Sequence, residues 1–209
     1  MKNEIKQKTL SEAEQRRLEH FEKIAEDMEQ QGYTRKDLTV SIGKANGFAV
    51  FLLILLFVIG YGLYFLIYYA IDFGGLNPLT FFITFLVLIV VHELIHGLCW
   101  SFFTPHHFKD IEFGIMKPSM TPYCTCLVPL KKGQYLFGTV MPFIALGIIP
   151  MITGLVIRNS AFLFLGIIMA ASAAGDLMII RNVAGYKSDA KEIVYMDHPT
   201  EAGGVIFER

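Results

Sequence analysis

The sequence predicts an all-α polytopic membrane protein, with four transmembrane helices and a small cytoplasmic β-hairpin-like segment between the second and the third. Three observations predict it. Apolar residues make up 54% of the 209, against 18% charged. The charges leave long stretches untouched: Phe48 to Ile71 is a run of 24 residues without one, and at about 1.5 Å per residue such a run crosses the hydrocarbon core of a bilayer. The uncharged stretches are also far longer than the roughly 4–8 residues of a buried strand, which excludes a soluble α/β reading.

The elements follow in chain order. "SEAEQRRLEHFEKIAEDMEQQGY" opens with Ser11 and has Glu14 three positions on, a capping-box signature. Leu18, Phe21, Ile24 and Met28, with Ala25 beside them, make one apolar face of a helix. That helix is expected to lie against the bundle or the membrane surface. Its surroundings carry nine acidic and nine basic residues in the first 45, so packing explains it better than attraction to charged lipid. The first span is Phe48–Ile71. The second lies in an uncharged run, Phe73 to Val91, whose apolar pattern continues through the histidines to about Phe103, and the residues 72–78 at its start serve as the loop between the two spans. In the segment between spans two and three, Ile111, Phe113 and Ile115 alternate with charge or glycine, a strand pattern. Tyr123 to Val128 is its expected partner across a turn at Pro118 and Ser119. Span three covers Gly133–Ile157, with Pro142 and Pro150 expected to bend it. Span four covers Asn159–Gly175 and resumes at Leu177 after one aspartate. Beyond Arg181 a charged, glycine-containing tail reads as partly loose. Tyr, Phe and Trp100 near span ends are expected as interface anchors.

Orientation comes from Lys and Arg. Seventeen of the 18 lie before span one, between spans two and three, or after span four; Arg158 alone falls between spans three and four. The positive-inside rule then puts both termini and the segment 104–134 in the cytoplasm. The first 45 residues are polar and the first apolar stretch is too long for a cleaved signal, so no secretory leader is expected. Three cysteines, none in an outside loop, do not suggest a disulfide framework. Scattered basic residues nearly matched by acidic ones exclude a nucleic-acid partner.

"VVHELIHGLCW", Val90 to Trp100, sets His92, Glu93 and His96 inside an apolar span, where ionisable groups are costly and mark function. His92 and His96 are about one turn apart on one helix face, so both imidazoles can point at a single metal ion. Glu93 lies beside them and can reach a metal-bound water. A catalytic zinc usually takes three protein ligands. Asp176 is the one other acidic residue within a span. Spans two and four run in the same direction, and Asp176 and His96 lie at similar depths from their cytoplasmic ends. Asp176 can therefore complete the site, either as the third ligand or as a hydrogen-bonding partner of a histidine ring. "MAASAAGD", Met169 to Asp176, supplies small residues for close helix approach, and Gly97 leaves room for a neighbouring backbone or for substrate. The chemistry this predicts is hydrolysis of a peptide bond, with Zn2+ polarising the carbonyl and Glu93 as general base. The competing readings are a membrane metal carrier and a protein that holds zinc for structure alone. Cys124 and Cys126, with His106 and His107 nearby, offer a weaker second metal motif; two half-buried cysteines in a hairpin are the ordinary reading.

"HELIHG" in one membrane helix with a distant "GD" in a later one resembles the intramembrane zinc metalloproteases of the site-2 protease kind. It is more closely similar to the small bacterial family described as putative zincin peptidases, the DUF3267 domain. The resemblance covers about Ala49 to Asn182. It implies that His92 and His96 are ligands, Asp176 the third ligand and Glu93 the catalytic base. It also implies that the hairpin segment can engage an unwound peptide substrate in or near the membrane, and that the protein sits in a bacterial cell membrane. Two departures stand out: the third ligand is surrounded by "AAGDLM" where site-2 proteases carry an Asn-Pro-Asp-Gly type of sequence, and the loops have no room for a PDZ domain. The expected organisation is a cytoplasmic amphipathic helical region at 1–45, a four-helix metalloprotease-like membrane domain at 46–183, and a cytoplasmic tail at 184–209.

Overall fold

A computed structural model describes residues 11–70, 77–116 and 121–209. The expected turn at Pro118 and Ser119 and most of the loop 72–78 lie outside these residues. The chain is a polytopic membrane protein. Among the described residues, three helical stretches are long and apolar enough to cross a membrane: α2 (Ile42–Tyr68), α3 (Pro78–Ser101), and Lys132–Val156, which comprises α4 (Lys132–Pro142), a wide π-type turn (Phe143–Ile148) and α5 (Ile149–Val156). A fourth crossing is formed if α6 (Ser160–Ser172) and α7 (Ala174–Gly185), bent by 50° at their junction, count as one. Local chemistry sets the boundaries. Asn77 caps α3 by accepting from the amides of Leu79 and Thr80, and Pro78 takes the first helical position, where no amide is needed. Pro142 cannot donate into the helical ladder, and regular α4 gives way to the π-type turn directly after it.

The helices meet through small residues, but mainly at a different seam from the one expected. A methyl group on Gly154 would come within 2.3 Å of the Leu163 amide nitrogen, and one on Gly147 within 2.8 Å of the Ala170 side chain, so α5 and α6 touch backbone to backbone. Three tyrosines of α2 finish this end of the bundle. Tyr61, Tyr64 and Tyr68 donate to the carbonyls of Ser160, Arg158 and Leu155 around the α5–α6 turn. The Leu155 carbonyl, in the last turn of α5, would otherwise lack a helical partner. Gly97 leaves room for neither substrate nor backbone: the ring of Phe113 fills the space beside it.

The hairpin forms as expected. β2 (Ile111–Met116) pairs antiparallel with β3 (Thr121–Cys126), Ile111 opposite Cys126, and lies along α3. The tail, by contrast, is ordered. Strand β5 (Ile193–Asp197) and strand β6 (Gly203–Glu208) join β1 (Thr34–Thr39) and the short β4 (Leu130–Lys131) in an antiparallel sheet of order β1-β6-β5-β4. Alternation sends Tyr195 and Ile206 toward Trp100, Tyr135 and Val183 of the helices. It sends Met196, Val205 and Phe207 toward Phe21 and Ala25 of α1 (Glu12–Gln30). The apolar face of α1 thus covers the sheet, not the membrane bundle. The capping box at Ser11 and Glu14 is present.

Candidate metal centre

His92 and His96 sit one turn apart near the end of α3, where the helix leaves its exposed stretch and every residue from His96 to Trp100 except Leu98 is buried. Asp176 stands in the first turn of α7, just past the bend at Ala173, where the positive end of a helix favours a carboxylate. Ligand atoms of His92, His96 and Asp176 all lie within 4.8 Å of one another, and among the described residues theirs is the one such grouping. His92 Nε2 is 3.0 Å from Asp176 Oδ2, His96 Nε2 is 3.5 Å from Asp176 Oδ1, and the two Nε2 atoms are 3.2 Å apart. Four ligands about 2.0–2.1 Å from a tetrahedral metal stand about 3.3 Å apart. The donor set and its spacing therefore fit a zinc ion. The tautomer fits as well. His96 Nδ1 lies 2.9 Å from the Gly138 carbonyl, which can only accept, so Nδ1 carries the proton and Nε2 presents its lone pair to the cluster.

Glu93 is half-buried beside the cluster, with the backbone amide of Cys124 in β3 donating to its carboxylate. It lines two spaces. One is a cavity of about 200 Å³ that is also lined by His96, Asp176, Arg17, Asp197 and His198. The second is an apolar groove of about 310 Å³ between α3 and the hairpin, walled by Val90, Leu94, Phe113, Ile115 and Tyr123.

The remaining side chains flagged in the sequence have other roles. Trp100 is no interface anchor: it is 3% exposed, stacks on His96 at 5.2 Å and on Tyr135 at 5.9 Å, and donates Nε1–H to the Tyr135 carbonyl. Its helix face points inward because Gly138 opposite has no side chain; a methyl there would meet the indole at 2.1 Å. Cys124 and Cys126 are free and form no metal cluster with His106 or His107 among the described residues. Burial pushes both thiols up, Cys126 to about 12, away from the thiolate that a metal requires. His106 pairs with Asp110, and His107 lies against the Ser101 carbonyl.

Residues 85–191 match the model of the DUF3267 family, described as putative zincin peptidase. The chain belongs to this family. The DUF3267 segment runs from the middle of α3 to the residues just before β5. It takes in all three members of the cluster, and it leaves out α1, α2 and the strand pair β5–β6. The resemblance read from the sequence began earlier, at Ala49, and stopped at Asn182. Neither the curated proteins nor the solved structures yield a match. A zincin-peptidase domain with a His/His/Asp cluster typical of zinc metallopeptidases makes the DUF3267 protein a metal-dependent hydrolase of the membrane.

Sequence reasoning did not find the Gly138 carbonyl, the Cys124 amide, Tyr135, Arg17 or Asp197. Backbone partners carry no signature of their own. Asp197 left one faint trace, a carboxylate that closes the apolar run "IVYMD".

Proposed function

We propose that the protein is a zinc peptidase that cleaves a peptide bond in or at the membrane, with His92, His96 and Asp176 holding the metal and Glu93 acting as general base. The observation that carries this reading is the convergence of three donor atoms at ligand spacing with a carboxylate from the same helix beside them. When bound there, zinc supplies Lewis-acid polarisation of the scissile carbonyl and makes water acidic enough to react near neutral pH. The chain's own residues do the rest. His96 is held in one tautomer by the Gly138 carbonyl. Glu93, oriented by the Cys124 amide, accepts the proton of the attacking water and passes it to the leaving nitrogen. The groove of Val90, Leu94, Phe113 and Ile115 leads to Glu93, which suits an extended, apolar peptide lying beside the hairpin. The distribution of Lys and Arg supports an orientation with both termini in the cytoplasm, so cleavage is expected on that side of a bacterial membrane.

The test uses protein purified in mild detergent. Elemental analysis is expected to find about one zinc per chain, kept by Glu93→Gln and largely lost by Asp176→Ala. Cleavage of membrane peptides is expected of the unaltered protein and not of Glu93→Gln. A folded protein supplied with zinc that takes up none rejects the mechanism. Zinc uptake without cleavage of any membrane peptide favours the metal-carrier reading.

A further inference from the structure

Asp197 stands at the end of β5, outside the residues that the family model matches, and lines the cavity that His96, Asp176 and Glu93 also line. It reaches two elements that build the metal centre. Its Oδ1 accepts from the Tyr135 hydroxyl at 2.7 Å, and its Oδ2 accepts from the Cys126 amide at 2.9 Å, with the Thr125 side chain adding a further hydrogen bond. The first bond fixes α4. Tyr135 is 1% exposed, stacks on Trp100, and accepts the Trp100 Nε1–H at its own carbonyl; Trp100 in turn lies flat on His96, their planes only 16° apart. One turn on, the same helix offers the Gly138 carbonyl to His96 Nδ1. The second bond fixes β3, whose Cys124 amide meets Glu93. A half-buried carboxylate that accepts hydrogen bonds from groups on two elements is a costly choice for mere packing, since even partial loss of water disfavours its charge.

From this geometry we infer that Asp197, acting through Tyr135 and Trp100, is a positioning residue of the metal centre, so that the strand pair β5–β6 is part of that centre. The inference rests on the reading of His92, His96 and Asp176 as ligands. Partners outside the ligand sphere that orient histidines typically change metal affinity 10–100-fold.

The test measures zinc affinity by competition with a chelator, and the visible spectrum of the cobalt-substituted protein, in the full chain. Tyr135→Phe keeps the ring stack and removes only the link to Asp197; Asp197→Ala removes both links. Both are expected to bind zinc about tenfold or more weakly, with shifted cobalt bands. Tyr195→Phe is the control: Tyr195 is equally buried and stacks on Tyr135 at 6.1 Å, but has no part in the relay, and is expected to bind as the unaltered protein does. Wild-type affinity and an unshifted spectrum in folded Tyr135→Phe would overturn the inference, and so would an equal loss in Tyr195→Phe. Should Asp197→Ala fail to fold, Tyr135→Phe still decides. Failure of the unaltered protein to bind metal would instead reject the ligand reading beneath it.

Discussion

The helical body and the sheet hide their polar groups in opposite ways. In the body, the most apolar window of α3 is only 6% buried, and those of α2 and the α4–α5 span are 22% buried. Their side chains face outward because lipid replaces a protein core, and away from the helix ends the backbone groups are satisfied inside their own helices. In the sheet, all of β6 is buried, between α1 on one side and the ends of α3, α4 and α7 on the other. Its core is made by protein packing, with no contribution from lipid. The metal centre lies where the two regimes meet, so its ligands draw on membrane helices and their supports on the sheet.

Three changes test how separate the regimes are. The largest effect is expected from Phe207→Ala. Phe207 is fully buried against Phe21, and removing it is expected to cost about 3–5 kcal/mol. If the sheet stands on its own core, circular dichroism on heating will show early loss of β signal while the helical signal persists. Simultaneous loss of both would mean that one cooperative unit spans the two regions. A smaller effect, about 1–3 kcal/mol, is expected from Gly154→Ala, because the added methyl meets the Leu163 backbone, which cannot step aside. Thermal unfolding in detergent should show the helical signal lost earlier with the sheet unmoved; a sheet transition shifted by the same amount would erase the distinction. The smallest effect concerns pH. Hydrogen bonds from Lys36, Ser188 and Tyr186 hold the Glu208 carboxyl down at about 2, and Lys36 also pairs with it at 2.5 Å. A carboxyl held below its ordinary value of about 4.3 stabilises the fold above that value and ceases to as pH falls toward 2. The sheet of the unaltered protein is thus expected to weaken between about pH 4.5 and 2, with a shallower slope in Lys36→Gln. Equal slopes in the two proteins would remove Glu208 from the account.

The contrast also explains what could be read in advance. His92, Glu93 and His96 announce themselves because an ionisable group stands out against a long uncharged run, and Asp176 follows from depth along a helix with a rise of about 1.5 Å per residue. The hairpin was readable because its partners are close in sequence and alternate with period two. The sheet was not. β1 pairs Thr34 with Glu208 across every membrane helix, and β4 pairs Leu130 with Tyr195 across α4 to α7, while the neighbouring strands "IVYMD" and "GGVIFE" look like short apolar patches in a charged tail. Trp100 misled for a related reason: sequence gives its distance from the span end but not which face of α3 meets Gly138. The bend before Asp176 falls at Ala173, between Ser172 and Ala174 and with no proline to mark it.

The pairing of β6 between β1 and β5 has a consequence for biogenesis. β6 follows every described helix in chain order, yet it is the strand to which β1, made before any of the membrane-crossing helices, must pair. During synthesis α1 and β1 therefore wait, their apolar faces uncovered, until all the spans have entered the bilayer. Only then can the sheet close over the ends of α3, α4 and α7. A ribosome-bound chain caught before β6 emerges would carry inserted helices and both histidines, with Asp197 already made but its strand unpaired. Maturation of the hydrolase is thereby tied to completion of the last strand, which leaves a half-made membrane protein without its finished catalytic centre.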